Sequence, residues 1–196
     1  MERGSAVNAT HGAKLVVAAG LAVATLVGCA NSNTSESGSV VQPTAVATSA
    51  KPTPPALTSA ASAHSRAGAA AFTEYWFALL SYGVETGEVA RLQEASDPEC
   101  KVCATAVSTI QDNYNDGGSL QGGIYTVRDA NAFEDFAGQV ITVAVSYDRS
   151  PRYGTSPLGD PRARLDGKSF ADCDVRLRWT GSAWHIRSID AGDQLV

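Results

Sequence analysis

Two cysteines three positions apart are the side chains of this sequence best placed to react with each other. Cys100 and Cys103 fall in the first turn of a predicted helix, a separation that a disulfide can span with modest adjustment. The loop that such a bond closes is short, so the chain-entropy estimate of its stabilisation is about 2 kcal/mol. A structural disulfide is therefore the leading interpretation.

The same pair has two alternative interpretations. A thiol–disulfide protein would use Cys100 and Cys103 as a redox pair, because a helix N-terminus lowers the pKa of a thiol, but no buried strand precedes the motif. A zinc site would need further ligands, and after Cys29 the sequence has no second cysteine pair and only His64 and His185 as histidines. We therefore expect no metal and no cofactor.

One carboxylate has a position from which it could act as a general base. Alternation places Asp190 on the same face of a predicted strand as Trp184 and Ile186, which is the core-facing side. A carboxylate in a desolvated pocket has its pKa moved toward neutrality and can then transfer protons. Asp190 is therefore the catalytic candidate, although an exposed Asp at a strand end is ordinary. The sequence contains no nucleophile–His–acid constellation, phosphate-binding glycine loop or HExxH motif.

Another cysteine, Cys29, follows an apolar run near the N-terminus. Leu26-Val27-Gly28-Cys29 resembles the bacterial lipobox, in which the thiol forms a thioether to diacylglycerol and a small residue leaves room for a protease. The apolar run 15–27 suits a signal peptide and is shorter than the roughly 20 residues of a membrane-spanning helix. The resemblance implies a signal peptide at 1–28, lipidation of Cys29, and a cell-membrane protein facing outside the cytoplasm. An uncleaved anchor and a cysteine buried in an ordinary helix are the alternatives.

Composition divides the rest of the chain into a tether and one domain. Residues 29–64 are almost all Ala, Ser, Thr, Pro, Asn, Val and Gly, and such a segment buries too little apolar area to offset its ordering entropy. We therefore predict a disordered tether at 29–64 and a domain at 65–196. The net charge is −5, and it becomes −6 without residues 1–28, so the chain lacks the basic footprint of a nucleic-acid-binding protein.

Three helices open the predicted domain. Aromatic and aliphatic residues recur at steps of three and four over Ala67–Tyr82, which predicts an amphipathic helix. A short helix is predicted over Glu88–Ala95. Asp97 is a good N-cap with Pro98 at the first helical position, so the third helix should run from there to the stop signal Asn115–Gly118.

The pattern then changes to alternation with a period of two. Strands without intervening helices are predicted at 124–129, 139–147, 171–179 and 183–190. Cys173 lies on an apolar face and is expected to be a buried free thiol. Segment 148–168, rich in Arg, Pro and Gly, is predicted to be a long loop, either mobile or contacting a partner. This order predicts an α+β fold in which three N-terminal helices pack on one curved antiparallel sheet.

The element order and several motifs resemble known proteins. Three helices before a curved antiparallel sheet resemble the nuclear-transport-factor-2-like cone, which ketosteroid isomerase and SnoaL-type cyclases share, and segments 72–80, 86–88 and 96–98 are similar to its opening helices. The lipobox, the tether, the aromatic first helix and segment 96–103 together resemble a family of uncharacterised actinobacterial lipoproteins. The resemblances imply a cone-like domain and a lipid anchor, but no activity.

Three functional hypotheses follow. The first is a non-catalytic envelope lipoprotein that is bound to the membrane through Cys29 and whose domain binds a small apolar ligand or a protein partner. The second is a SnoaL- or ketosteroid-isomerase-like enzyme acting in the cone. The third is a thiol–disulfide protein using Cys100 and Cys103. A cone filled by its own side chains would argue against the enzyme.

Overall fold

The computed structural model of the chain describes residues 51–133, 140–190 and 195. Within them the helices come first: α1 (Arg66–Thr86), α2 (Ala90–Glu94) and α3 (Lys101–Asn115). The strands that follow are β1 (Ser119–Gly122), β2 (Tyr125–Ala132), β3 (Val140–Arg149), β4 (Arg152–Thr155), β5 (Pro161–Leu165), β6 (Lys168–Trp179) and β7 (Trp184–Ile189). None of the helices in this described part of the chain is long and apolar enough to cross a membrane. The predicted signal peptide 1–28 and Cys29 lie outside the described residues.

Helix α1 buries the aromatic face that its periodicity predicts. Ser65 caps its start by accepting a hydrogen bond from the Gly68 N–H at 3.0 Å, and Gly87 ends it in the left-handed region at φ 77°. The large side chains that it contributes to the core are Phe72, Trp76, Phe77, Leu79 and Leu80.

Helix α3 begins later than its predicted cap. Asp97 instead turns the preceding chain, because its carboxylate accepts the Glu99 N–H at 2.9 Å and its carbonyl accepts the Cys100 N–H at 2.9 Å. The N-cap is Cys100, whose sulfur accepts the Cys103 N–H at 3.3 Å. The Asp97 side chain lies against Arg178 of β6, with Oδ2 2.6 Å from Nη2.

The prediction of one curved sheet is wrong, although the α+β class holds. The strands form two antiparallel sheets, one with the order β1-β4-β5 and one with the order β2-β3-β6-β7. Segment 148–168, predicted as a loop, contains β4 and β5 and therefore supplies most of the smaller sheet. Its alternation is hidden because Pro151, Pro157 and Pro161 interrupt it.

Three short connections join the two sheets along one line. We call this line the crease and define it by residues 122–124, 150–151 and 166–167, where β1 passes into β2, β3 into β4 and β5 into β6. Across it the Gly123 N–H donates to the Pro151 carbonyl at 3.0 Å, and the Ser150 N–H donates to the Ile124 carbonyl at 2.9 Å. Gly122 and Gly123 both have φ of 70°, and proline has no N–H for a ladder, so the sheet breaks here.

The N-terminal stretch of the described chain packs against the domain. Ala61 is buried, the Trp184 indole N–H donates to the Ala63 carbonyl at 2.9 Å, and the His64 ring stacks on Trp179 with centroids 4.5 Å apart. Residues 51–64 of the predicted tether therefore contact the core, and the first buried residue precedes the predicted boundary at 65. The remainder of the tether, 29–50, lies outside the described residues.

Candidate functional site

An aromatic cluster fills the inner side of the crease. Tyr147, on the inward face of β3, has its ring centroid 4.6 Å from that of Phe77 of α1 and 4.6 Å from that of Phe170 of β6. The ring centroid of Tyr125, the first residue of β2, is 6.0 Å from that of Tyr147. All four rings are buried, so this part of the domain is packed by its own side chains.

The hydroxyl of Tyr147 is buried without a hydrogen-bond partner among the described residues. The residue has no exposed surface, and no group in 51–133, 140–190 or 195 lies in hydrogen-bonding geometry to its oxygen. Burial raises the pKa of Tyr147 above its usual value, with smaller contributions from Cys173 and Tyr125 in the same direction. The hydroxyl therefore keeps its proton and offers a donor to an acceptor that the described chain does not supply.

The second tyrosine holds a residue from the end of the chain. The Tyr125 hydroxyl donates to the carbonyl of Leu195, which is 2% exposed and belongs to the core. Burial raises the pKa of Tyr125 to about 12, against opposing effects of Arg149 and Arg152. The Tyr125 N–H donates to Ser81 Oγ at 2.9 Å, which fixes the start of β2 to α1.

Two arginines bring positive charge to the crease. Arg149 is 4% exposed, donates from Nη2 to the Asp166 carbonyl at 2.8 Å, and lies with Cζ 5.8 Å from the Phe170 ring centroid. Arg152 is half-buried, and its Nη1 is enclosed without a hydrogen-bond partner among the described residues. Burial lowers the pKa of Arg152, and the charge of Arg149 lowers it further.

These side chains can donate hydrogen bonds to an acceptor. Two protonated phenols and two guanidinium groups are all donors. The charged or ionisable neighbours that act on Tyr125 and Tyr147 are arginines, a tyrosine and Cys173, and no carboxylate or histidine is among them. The carboxylate of Asp166, which belongs to the crease, is 84% exposed and lies 3.0 Å from Arg164 Nε.

The predicted disulfide between Cys100 and Cys103 is present. Their Cα atoms are 5.3 Å apart, and both residues are 1% exposed and line a surface cleft of about 310 Å³. Thiol–disulfide exchange requires a thiolate to reach one of the sulfurs, and this burial opposes such an attack. The geometry therefore agrees with a structural bond at the start of α3.

Asp190 does not lie on the core-facing side. The pairing of β6 with β7 shifts by one residue, so that Arg176 lies opposite Ser188 while Leu177 lies opposite Ile186. This bulge reverses the alternation, which buries Ile189 and leaves Asp190 exposed. An exposed carboxylate lacks the desolvated surroundings on which the catalytic prediction depended.

The other sequence-predicted features occupy separate places. Cys173 is a buried free thiol on β6, as expected. The β4–β5 hairpin exposes Leu158 at its tip and Tyr153 on its outer face, and its role in partner binding stays a prediction. Among the described residues, no group of three or more His, Cys, Asp or Glu side chains could hold a metal ion.

Sequence reasoning missed the residues that line the crease. Arg149 lies two positions beyond Tyr147 on the alternating face of β3, so extending the predicted strand by two residues would have found it. Nothing in the local pattern pointed to Tyr125, because its burial depends on α1 and on Leu195. Arg152 was hidden in the predicted loop.

Comparison with solved structures gives distant neighbours. The intermembrane-space region of the chloroplast protein ARC6 is 13% identical with a TM-score of 0.48, over 65% of this chain and 95% of that one. The Kfla4162 protein from Kribbella flavida is 10% identical with a TM-score of 0.40, over 59% and 83%. Aln2 from a Streptomyces species is 16% identical with a TM-score of 0.36, over 60% and 86%. Similarity at this level establishes neither a shared fold nor a shared function, and the resemblance to the nuclear-transport-factor-2-like cone is not confirmed.

Comparison by sequence gives a clearer result. No curated protein matches the chain. A model described as "Family of unknown function (DUF6318)" matches residues 42–190, which is most of the sequence and includes every described helix and strand. The chain therefore belongs to DUF6318, a family of unknown function.

Proposed function

We propose that this protein is a non-catalytic binding module of the cell envelope, and that the crease binds a partly apolar small molecule carrying a carboxylate or a similar acceptor. The observation that carries the proposal is the Tyr147 hydroxyl, which is fully buried and has no partner among the described residues. The enclosed Nη1 of Arg152 is a second donor in the same condition.

The energetic argument concerns unmade hydrogen bonds. A buried polar group without a partner costs about 1–3 kcal/mol, so proteins seldom retain one without a use. A guanidinium N–H can only donate and a phenol can donate, so an acceptor would suit both groups, and the charge of Arg152 favours a negative one. The rings of Phe77 and Phe170 pack against Tyr147, so the apolar part of the molecule would enter by displacing part of this packing.

The two alternative functions lack a comparable observation. An enzyme acting at this place would need a base, and the Asp166 carboxylate of the crease is 84% exposed and paired with Arg164. A thiol–disulfide protein would need an accessible sulfur, and Cys100 and Cys103 are buried. We further propose that lipidation of Cys29 holds the module on the outer side of the cytoplasmic membrane, a proposal that the lipobox supports.

The test uses 4-phenylbutyrate as the probe and the uncharged 4-phenylbutanol as its matched control. Binding to the folded state alone stabilises a protein by about 1.4 kcal/mol at ten times Kd, so the full chain in a mild detergent should unfold a few degrees higher with the carboxylate. The alcohol should give a clearly smaller shift. Calorimetric titration then measures the affinity.

The decisive variant is Tyr147→Phe, with Tyr153→Phe as its control on the exposed face of β4. Loss of one hydrogen bond to a charged acceptor, worth about 1.5 kcal/mol, should weaken 4-phenylbutyrate binding about tenfold in Tyr147→Phe. Tyr153→Phe should bind as the wild type does. The proposal would be contradicted if the two variants bound 4-phenylbutyrate with equal affinity. It would also be contradicted if neither the wild type nor the variants bound it.

A further inference from the structure

A proline-rich segment at the start of the described chain lies against helices α1 and α2. We call residues 51–55, Lys51-Pro52-Thr53-Pro54-Pro55, the proline segment. Pro54 and Pro55 are half-buried, while the residues on either side of them are exposed. Proline restricts the backbone before binding, so a segment with three prolines in five residues loses little conformational entropy when it docks.

Side chains of the two helices and of the turn between them hold this segment at both ends. Lys51 Nζ is 2.8 Å from Glu88 Oε1, and the Tyr82 hydroxyl donates to the other oxygen of the same carboxylate. Arg91 Nη1 donates to the Pro55 carbonyl at 3.2 Å. The two partners of the segment, Glu88 and Arg91, are 37 and 36 positions away along the chain, so the docking is a tertiary contact.

The helices provide the kinds of group that such a segment needs. Proline has no N–H and offers only its carbonyl oxygen to a hydrogen bond, and Arg91 supplies the donor. Glu88 supplies a carboxylate for the lysine, and Tyr82 supplies an aromatic ring of the type that lines proline-binding grooves. A cavity of about 210 Å³ lies at this contact, lined by Pro54 of the segment and by Tyr82, Glu88, Ala90 and Arg91.

We propose that Tyr82, Glu88 and Arg91 form a binding site for a lysine-bearing proline-rich segment, and that the chain's own proline segment is its occupant. The site lies outside the crease and does not depend on the function proposed for it. The family match, residues 42–190, includes both the segment and the site. The Lys51 and Glu88 side chains are 74% and 51% exposed, so their pair is weak and screened by salt, and the docking is reversible. Docking therefore takes the segment out of the predicted tether, and release returns it.

The first experiment measures by fluorescence anisotropy how tightly a labelled peptide of residues 51–57 binds the full chain in a mild detergent. The wild type is compared with an open variant, Lys51→Glu/Pro54→Gly/Pro55→Gly, in which the chain's own segment can no longer dock. If that segment occupies the site for roughly nine-tenths of the time, the apparent affinity of the wild type for the peptide is reduced about tenfold. We therefore expect about tenfold tighter binding to the open variant.

Substitutions of the site test where the peptide binds. Glu88→Gln in the open variant removes the partner of the peptide's lysine and should weaken binding about threefold, which is the size of one exposed ion pair. Glu94→Gln, which alters an exposed carboxylate of α2, is the matched control and should leave binding unchanged. The inference would be overturned by equal affinity of the wild type and the open variant, or by equal affinity of the two substituted chains.

A second measurement follows the segment within the chain itself. A nitroxide spin label is attached at Thr53→Cys, an exposed position of the segment, in a chain whose other free thiols are replaced by serine. Its motion should be slow in this parent and fast after Glu88→Lys. It should be slow again in Lys51→Glu/Glu88→Lys, where the ion pair is restored with its charges exchanged, and Glu94→Lys should keep it slow. A label that moves equally in the parent and in Glu88→Lys would contradict the inference.

Discussion

At the scale of single residues, the buried carboxylate of Asp97 and the buried hydroxyl of Tyr147 differ in whether the described residues supply a hydrogen-bond or ion-pair partner. Asp97 has a side chain with no exposed surface, and its two oxygens face the Glu99 N–H and the Arg178 guanidinium. Burial by itself would raise the pKa of Asp97, but these two groups outweigh it and hold the pKa below its usual 3.8. Tyr147 has no such partner among the described residues. We therefore propose a ligand-binding role for Tyr147 and a structural role for Asp97.

The lowered pKa of Asp97 predicts an acid-dependent loss of stability. Because the folded-state pKa lies below 3.8, the unfolded chain takes up the proton first as the pH falls. The contribution of Asp97 should therefore be complete above about pH 5 and disappear as the pH falls through the folded-state pKa. Asp97→Asn should lower the free energy of unfolding by about 2 kcal/mol at pH 7 and by less at pH 3.

Urea denaturation at the two pH values measures this difference. Asp112→Asn, on the exposed side of α3, is the control and should change the unfolding free energy little at either pH. If Asp97→Asn destabilises the protein equally at pH 7 and pH 3, the charge of Asp97 is not what stabilises the turn before α3.

At the scale of elements, the crease depends on glycines whose neighbours leave no room for a side chain. A Cβ on Gly122 would overlap the carbonyl oxygen of Pro151, whereas a Cβ on Gly181 would have no atom within 4 Å. Both glycines have positive φ, of 70° and 92°. The two positions thus share the backbone strain and differ in steric overlap.

Gly122→Ala and Gly181→Ala form a matched pair for this reason. Gly181→Ala should cost about 1–2 kcal/mol, which is the penalty of an L-residue in the left-handed region. Gly122→Ala should cost at least twice as much and should also weaken 4-phenylbutyrate binding, since the crease would have to open. Equal losses in chemical denaturation would show that the close approach of β1 to the β3–β4 connection is not needed.

The disulfide at the start of α3 gives a second element-scale prediction. Closing a short loop between Cys100 and Cys103 removes unfolded-state entropy worth about 2 kcal/mol. The double variant Cys100→Ala/Cys103→Ala should lose that amount in denaturation without reductant. Its stability should not respond to dithiothreitol, whereas that of the wild type should fall. A redox role would instead appear as rapid reduction of the native protein under mild conditions.

At the scale of the whole molecule, the α+β domain follows an N-terminal region for which the sequence predicts a signal peptide, a lipidated Cys29 and a tether. The proposed attachment through Cys29 relies on the lipid that the lipobox predicts. A diacylglycerol group supplies two acyl chains, which are enough for stable anchoring. The module would then be displayed outside the membrane with its crease available to molecules there.

Cys29→Ser tests the anchor directly. In the native host the wild type should sediment with membranes, and mass spectrometry should show diacylglycerol on it. The Cys29→Ser variant should lack this modification and should no longer be held on the membrane by a lipid. Cys173→Ser, which alters a buried thiol, should remain on the membrane. A lipid-free wild type that stays in the membrane fraction would indicate an uncleaved apolar anchor instead.

Local patterns alone determined much of this protein. The helical periodicity placed α1, the alternation placed the cores of β3, β6 and β7, and the spacing of Cys100 and Cys103 predicted their bond. These features follow from contacts between residues that are neighbours in sequence, so the signal is carried by a few consecutive side chains.

The tertiary structure alone decided the remainder. A one-residue bulge reversed the alternation at Asp190, prolines concealed β4 and β5, and the crease joined Tyr125, Arg149, Arg152 and Leu195 from distant parts of the chain. Such outcomes depend on pairing register and on packing between segments far apart, where a shift of one residue exchanges the buried and exposed faces. The physical reason is that residues far away in sequence form the surroundings of these side chains. The neighbouring residues in sequence do not determine which distant residues those are.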